Sequence, residues 1–158
     1  ILDTNSALVS SKLTGALPAI DGASLTGLTD YETGTWTATI KGDVEPGTLL
    51  TKTGYYTKVG NTVTIGVGFE SVDTTGYSGL ISFSGMPYAL RTLYRAPFVL
   101  GTYNGVTWTS GTIPIGLVDA GGSIIFGRIM RSATTWDNLP HNPGAGSYFW
   151  IGGSYITT

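Results

Sequence analysis

Cysteine is absent from the 158 residues, which excludes a disulfide framework and a thiol nucleophile. Charge is sparse: Asp, Glu, Lys and Arg make up 11% of the chain, where an ordinary soluble domain carries about a quarter. Eight cations stand against ten acids, a formal net charge of −2, so there is no basic footprint with which to hold nucleic acid. His141 is the single histidine; without paired histidines, cysteines or an EF-hand loop, no metal or other cofactor is expected. No apolar run approaches the length of a membrane span, and residues 1–15 lack the basic start and apolar centre of a signal peptide. Membrane insertion is therefore not expected. No segment offers ten residues of helical periodicity with caps. The chain starts at Ile1, and we read it as a fragment or a processed product. What remains is glycine, 24 residues of it, with Thr, Ser and aromatics. A surface so poor in charge must be covered by hydroxyls, backbone and rings, or lie against copies of itself.

Residues 54–70, GYYTKVGNTVTIGVGFE, come closest to dictating a structure. Two runs rich in Tyr, Thr, Val and Ile flank Gly60-Asn61, a two-residue loop of the kind that closes β-hairpins. Such a loop places Val59 opposite Thr62, Lys58 opposite Val63, Tyr56 opposite Ile65 and Tyr55 opposite Gly66. Tyr56, Val63, Ile65, Val67 and Phe69 then form a core face. The opposite face carries Tyr55, Thr57, Thr62, Thr64, Gly66 and Gly68, where bare backbone suits another layer or an aromatic ring lying across it.

Residues 1–28 differ from everything after them. They scatter short apolar residues among Ser, Thr, Gly and Ala without one aromatic, and they repeat Lys12-Leu13-Thr14-Gly15 as Ser24-Leu25-Thr26-Gly27. Such a segment buries too little apolar surface to order alone; it is expected to be an extended stalk intertwined with copies from other chains, or a linker. From Tyr31 onward alternation takes over. Trp36, Ala38 and Ile40 share one face, strands are expected over 80–84, within 93–103, over 113–117 and 123–130, and a last one from Tyr148, and Asn104-Gly105 is a second hairpin signal leading to Val106 and Trp108. Eight or nine strands at this spacing predict an all-β head over residues 29–158, an antiparallel β-sandwich of jelly-roll type.

Three stretches resemble the C-terminal region of tailed-bacteriophage tail fibres and related virion spikes: Leu17-Pro18-Ala19-Ile20-Asp21-Gly22-Ala23-Ser24-Leu25-Thr26-Gly27-Leu28, Tyr31-Glu32-Thr33-Gly34-Thr35-Trp36-Thr37, and Tyr56-Thr57-Lys58-Val59-Gly60-Asn61-Thr62-Val63. Ser84-Gly85-Met86-Pro87 is similar to a further step of that group. The resemblance covers roughly the first 90 residues. It implies a parallel homotrimer with an intertwined stalk and three heads, exposed to the medium on a virion and attached to other virion proteins through its N-terminal side. It implies host attachment through a surface polysaccharide or glycan without catalysis. A purely structural trimeric fibre, head spike or decoration protein is the alternative.

Saccharide sites combine an aromatic platform with short polar side chains for the hydroxyls. The stretch 131–147 offers Trp136, Asp137, Asn138 and His141; a second grouping is Tyr103, Asn104 and Trp108 around the expected turn. Against these stand plainer readings, in which Trp136 plugs the end of the sandwich or a subunit interface, Asp137 and Asn138 form a turn, and Tyr103 with Trp108 is a cross-strand pair. Trp36 and Trp150 lie within strands and are expected in the core. Arg91, Arg95, Arg128 and Arg131 are candidates for acidic sugars. No catalytic residues are expected: no Gly-x-Ser-x-Gly elbow is present, and only Glu70, Asp73, Asp119 and Asp137 stand where two carboxylates might be imagined around one cleft.

Overall fold

A computed structural model of the chain describes residues 30–107, 111–132 and 135–158. The expected stalk, residues 1–28, and Trp108 of the second grouping lie outside the described residues. Nine strands and no helix are present among those described: β1 (Tyr31–Lys41), β2 (Thr51–Val59), β3 (Thr62–Val72), β4 (Ser82–Ser84), β5 (Ala96–Tyr103), β6 (Ile113–Val118), β7 (Ile125–Ser132), β8 (Thr135–Asn138) and β9 (Ser147–Ile156).

The hairpin forms in the expected register, with Tyr55↔Gly66, Tyr56↔Ile65, Lys58↔Val63 and Val59↔Thr62 opposed. Gly60 takes φ 57°, the positive value that a two-residue loop with glycine at its first position needs. β1 extends the pair on one side, Trp36 lying opposite Gly54. On the other side β3 pairs with β9, which in turn pairs with β5. β5, β6, β7 and β8 follow as a meander.

The expected sandwich does not form. The sheet closes into an eight-stranded antiparallel barrel in the order β1-β2-β3-β9-β5-β6-β7-β4, and β8 is an added strand on β7. Closure is made by β4, three residues long, which pairs with β1 through Ile40↔Phe83 and with β7 through Phe83↔Ile125. Alternation could not reveal this. It reports one buried and one exposed face per strand, a property that a sandwich and a barrel share. An eight-stranded barrel has an interior wide enough for side chains to fill or for one small ligand, and here Trp36, Ile40, Phe69, Phe83, Phe98, Phe149, Ile151 and Tyr155 are among the side chains that fill it.

Irregular chain covers both ends. At one end residues 85–91 cross beneath the barrel, held by Tyr155 Oη donating to the Tyr88 carbonyl (3.0 Å), Thr157 Oγ1 to Ala89 (2.9 Å) and Leu90 N to Gly122 (2.8 Å). Burial raises the Tyr155 phenol to about 12. At the other end, residues 42–50, 73–80 and 139–146 meet over the core. Asn104-Gly105 lies here and is not a hairpin turn. Asn104 has φ 63°, and Val106 bridges to His141 instead of beginning a strand back along β5.

Candidate functional site

The two sequence-derived groupings come apart in the structure and recombine. His141 leaves the first. It is 6% exposed and stacked on the buried Tyr77 at a centroid distance of 5.2 Å. Its Nε2 lies 3.1 Å from the Lys41 carbonyl, and since a carbonyl only accepts, Nε2 carries the proton. Nδ1 is buried without a hydrogen-bond partner. Burial holds the imidazole below its ordinary value, against the smaller raising effects of the Lys41 carbonyl and Asp43. This histidine is buried in the barrel's lid, apart from Trp136 and Asn138.

Trp136 faces outward. It stands on β8, opposite Met130 of β7, and is 55% exposed. Strand alternation turns Asn138 the same way, and its Oδ1 accepts a hydrogen bond from Arg128 Nη1. The Arg128 guanidinium also lies 5.5 Å from the centre of the Phe126 ring. Asp137 lies opposite Ile129, on the other face of β8. Trp136, Arg128, Pro97, Leu117, Arg95 and Asp119 line a groove of about 450 Å³ on the outer wall, a volume within the range of small-molecule sites. Arg95 Nε and Asp119 Oδ1 pair at 3.1 Å across exposed surface. The groove therefore joins an indole and two aliphatic surfaces to two guanidiniums, an amide and one carboxylate.

Arg95 and Arg128 were legible as candidates for acidic sugars; Pro97, Leu117 and Asp119 as groove walls were not. Their gathering depends on β5, β6, β7 and β8 lying side by side, a property of the meander and not of any local motif. Of the four acids that might have shared a cleft, Asp119 alone lines this groove. Asp73 instead accepts from the Thr75 hydroxyl and from Thr75 N, the latter at 2.9 Å, in a local turn, and these two contacts in that order hold its carboxyl below the usual range. Among the described residues no three of His, Asp and Glu converge as metal ligands would.

The second grouping also changes membership. Tyr103 and Asn104 line a smaller pocket of about 240 Å³ with Thr102, Val106 and Asn142, where Asn142 Nδ2 donates to the Asn104 carbonyl at 3.0 Å. Trp150, expected in the core, is on the outer face. It is opposed to Gly68 of β3 and Gly101 of β5 and is 44% exposed. Trp36 is buried as expected.

No family model matches the chain, and no curated protein is found to be similar to it.

Proposed function

We propose that this chain is a non-catalytic adhesion module that recognises saccharide on a host cell surface, carried on a trimeric phage fibre or spike. The observation that carries the reading is the outward-facing indole of Trp136 in a groove walled by Pro97 and Leu117 and edged by Arg95, Asp119 and Arg128, the last bonded to Asn138. A pyranose ring offers an apolar C–H face and a rim of hydroxyls. The indole matches the face, and short-range donors and acceptors match the rim. The guanidiniums supply the donors; Asp119 and the Asn138 amide supply acceptors. Arg128 is held in place by Asn138, which lowers the entropy lost when it engages a ligand. One head would bind modestly, and several heads on one particle raise the effective affinity by avidity.

The fibre setting rests on the resemblance of residues 17–28, 31–37, 56–63 and 84–87 to phage fibre and spike proteins. Homotrimer formation is supported by the outer wall itself, where Val99 and Ile113 are 74% and 66% exposed on adjacent strands beside Ile115 and Pro114. Contiguous apolar surface of this kind marks contact with another molecule, and a chain with so little charge has few other means of protecting it. The same wall is the observation that favours a structural virion protein as the second reading.

Trp136→Ala separates the two. β8 is outside the closed barrel, so the substitution leaves the fold and thermal midpoint nearly unchanged. Binding to host-derived polysaccharide is expected to fall at least ten-fold. Undiminished binding by the folded variant removes the site from this groove, and no binding by the parent protein across host saccharides supports the structural reading.

A further inference from the structure

The outer face of β9 carries a second aromatic array that owes nothing to Trp136. Tyr148 and Trp150 are two residues apart on one strand and therefore point the same way. Their rings are nearly parallel, at 25° with centroids 5.6 Å apart. Tyr103 on β5 lies opposite Tyr148 and extends the row, with centroids 5.9 Å apart and the planes inclined by 64°. Beyond Tyr103 comes the pocket of Asn104, Val106, Asn142 and Thr102. The Thr102 hydroxyl is buried there with no hydrogen-bond partner among the described residues.

Glycine makes the array a platform. Trp150 has Gly68 on one neighbouring strand and Gly101 on the other. A Cβ added at Gly68 would stand 3.3 Å from the indole Cδ1, and one added at Gly101 would stand 3.4 Å from Cε3. The base of the indole thus stands between two glycines, where a larger residue on either strand would crowd it. Next along the wall, Gly66 and Gly152 are opposed to each other and continue the shallow floor, edged by the exposed Val99 opposite Gly152 on β5. Past them Thr64 Oγ1 and Ser154 Oγ stand 2.7 Å apart, offering paired hydroxyls. The residues opposed to Trp150, Gly152 and Ser154 on β3 and β5 include no charged side chain, and Glu70 stands in the β3 bulge across from Tyr148.

We infer that the Trp150–Tyr148–Tyr103 row, ending at the Asn104–Asn142 pocket, is a second carbohydrate site, one that takes an uncharged oligosaccharide laid along β9. Tyr148 covers one face of the Trp150 indole, and the face turned away from it suits the C–H face of a pyranose ring standing on the glycine floor. Uncharged hydroxyl and amide partners at both ends suit sugar hydroxyls. A protein partner burying this strip would be expected to fill the glycine floor with side chains of its own. A saccharide needs the floor only to be low. The inference extends the adhesion reading to new residues, and it stands or falls separately from the Trp136 groove.

The test uses the full chain and a panel of neutral glucose, mannose and galactose hexasaccharides. Binding is followed by calorimetry for the parent protein, Trp150→Ala, Gly66→Val and Trp136→Ala, with the oligomeric mass measured on each. The floor is raised by Gly66→Val, where an added Cβ meets nothing within 4 Å and so leaves the rings in place; it probes the platform even where loss of the indole disturbs the sheet. Expected is binding of a neutral hexasaccharide that weakens at least ten-fold in both Trp150→Ala and Gly66→Val and is kept in Trp136→Ala. Binding lost only in Trp136→Ala overturns the second site and leaves the first. Absence of neutral binding, or a fall in oligomeric mass in Gly66→Val and Trp150→Ala, also overturns it, the latter by identifying the strip as a contact between copies.

Discussion

His141 shows how a single side chain can mislead when read from its neighbours in sequence. Placed five residues after Trp136, it has the chemistry of a sugar ligand, yet the chain turns at Leu139, which is fully buried, and His141 enters the lid. Burial favours its neutral form, the Lys41 carbonyl sets the tautomer, and protonation would put a proton on Nδ1, where no acceptor waits. The folded-state value therefore lies below the ordinary 6.5. Between the two values the unfolded chain holds a proton that the folded chain does not, so stability is full above 6.5 and declines as pH falls through the interval. The slope is at most about 1.4 kcal/mol per pH unit. Chemical denaturation at pH 7.5 and 5.5 is expected to show this loss in the parent protein and a smaller one in His141→Gln. An equal loss in both would assign acid sensitivity to other groups. Trp150 is the opposite case, expected in the core and found outside. Phe149 and Ile151 have the opposite parity to Tyr148, Trp150 and Gly152, but an unbroken run of four apolar residues hid the alternation.

Among the elements, the β2–β3 hairpin was readable to the residue because its loop has two residues and one face is wholly apolar. β4 was visible only as a short alternating run. That it closes the barrel depends on two partners distant in sequence, β1 and β7, and no local pattern encodes a choice of partner. β8 was likewise lost within a stretch read as a loop. The turn that releases β4 is exacting. Gly85 has φ 95°, and a Cβ there would fall 2.0 Å from the Thr37 carbonyl oxygen. Gly85→Ala must therefore displace the chain from β1, at a cost of about 1–3 kcal/mol. For a domain of this size that lowers the thermal midpoint by several degrees, at about 2–4 °C per kcal/mol. A midpoint within one degree of the parent would show that the seam is looser than its geometry. Below the seam, Glu32 accepts hydrogen bonds from the Tyr56 and Tyr88 hydroxyls, which keep its carboxyl below the usual range and tie residues 85–91 to β1.

For the whole molecule, the scarcity of charge was the most informative property of the sequence, and its consequence is seen on the outer wall. A barrel that fills its interior with rings and aliphatic chains still shows Tyr103, Trp136, Trp150, Val99 and Ile113 outside. The all-β class was legible from periodicity; the closed form was not, because closure is a matter of pairing. Of the two candidate groupings, Trp136 with Asn138 and Tyr103 with Asn104 remain together, while His141 belongs to the lid. If the heads are held as a trimer by the N-terminal segment, deleting residues 1–28 lowers the thermal midpoint and makes assembly concentration-dependent by analytical ultracentrifugation. A full-length monomer with an unchanged midpoint after deletion contradicts the trimer. Saccharide binding at exposed indoles is tested most directly by the indole N–H resonances in a titration with host polysaccharide fragments, assigned through the tryptophan variants. Binding at the proposed groove shifts the Trp136 signal and leaves that of the buried Trp36 in place; saturating ligand that moves no indole signal contradicts it.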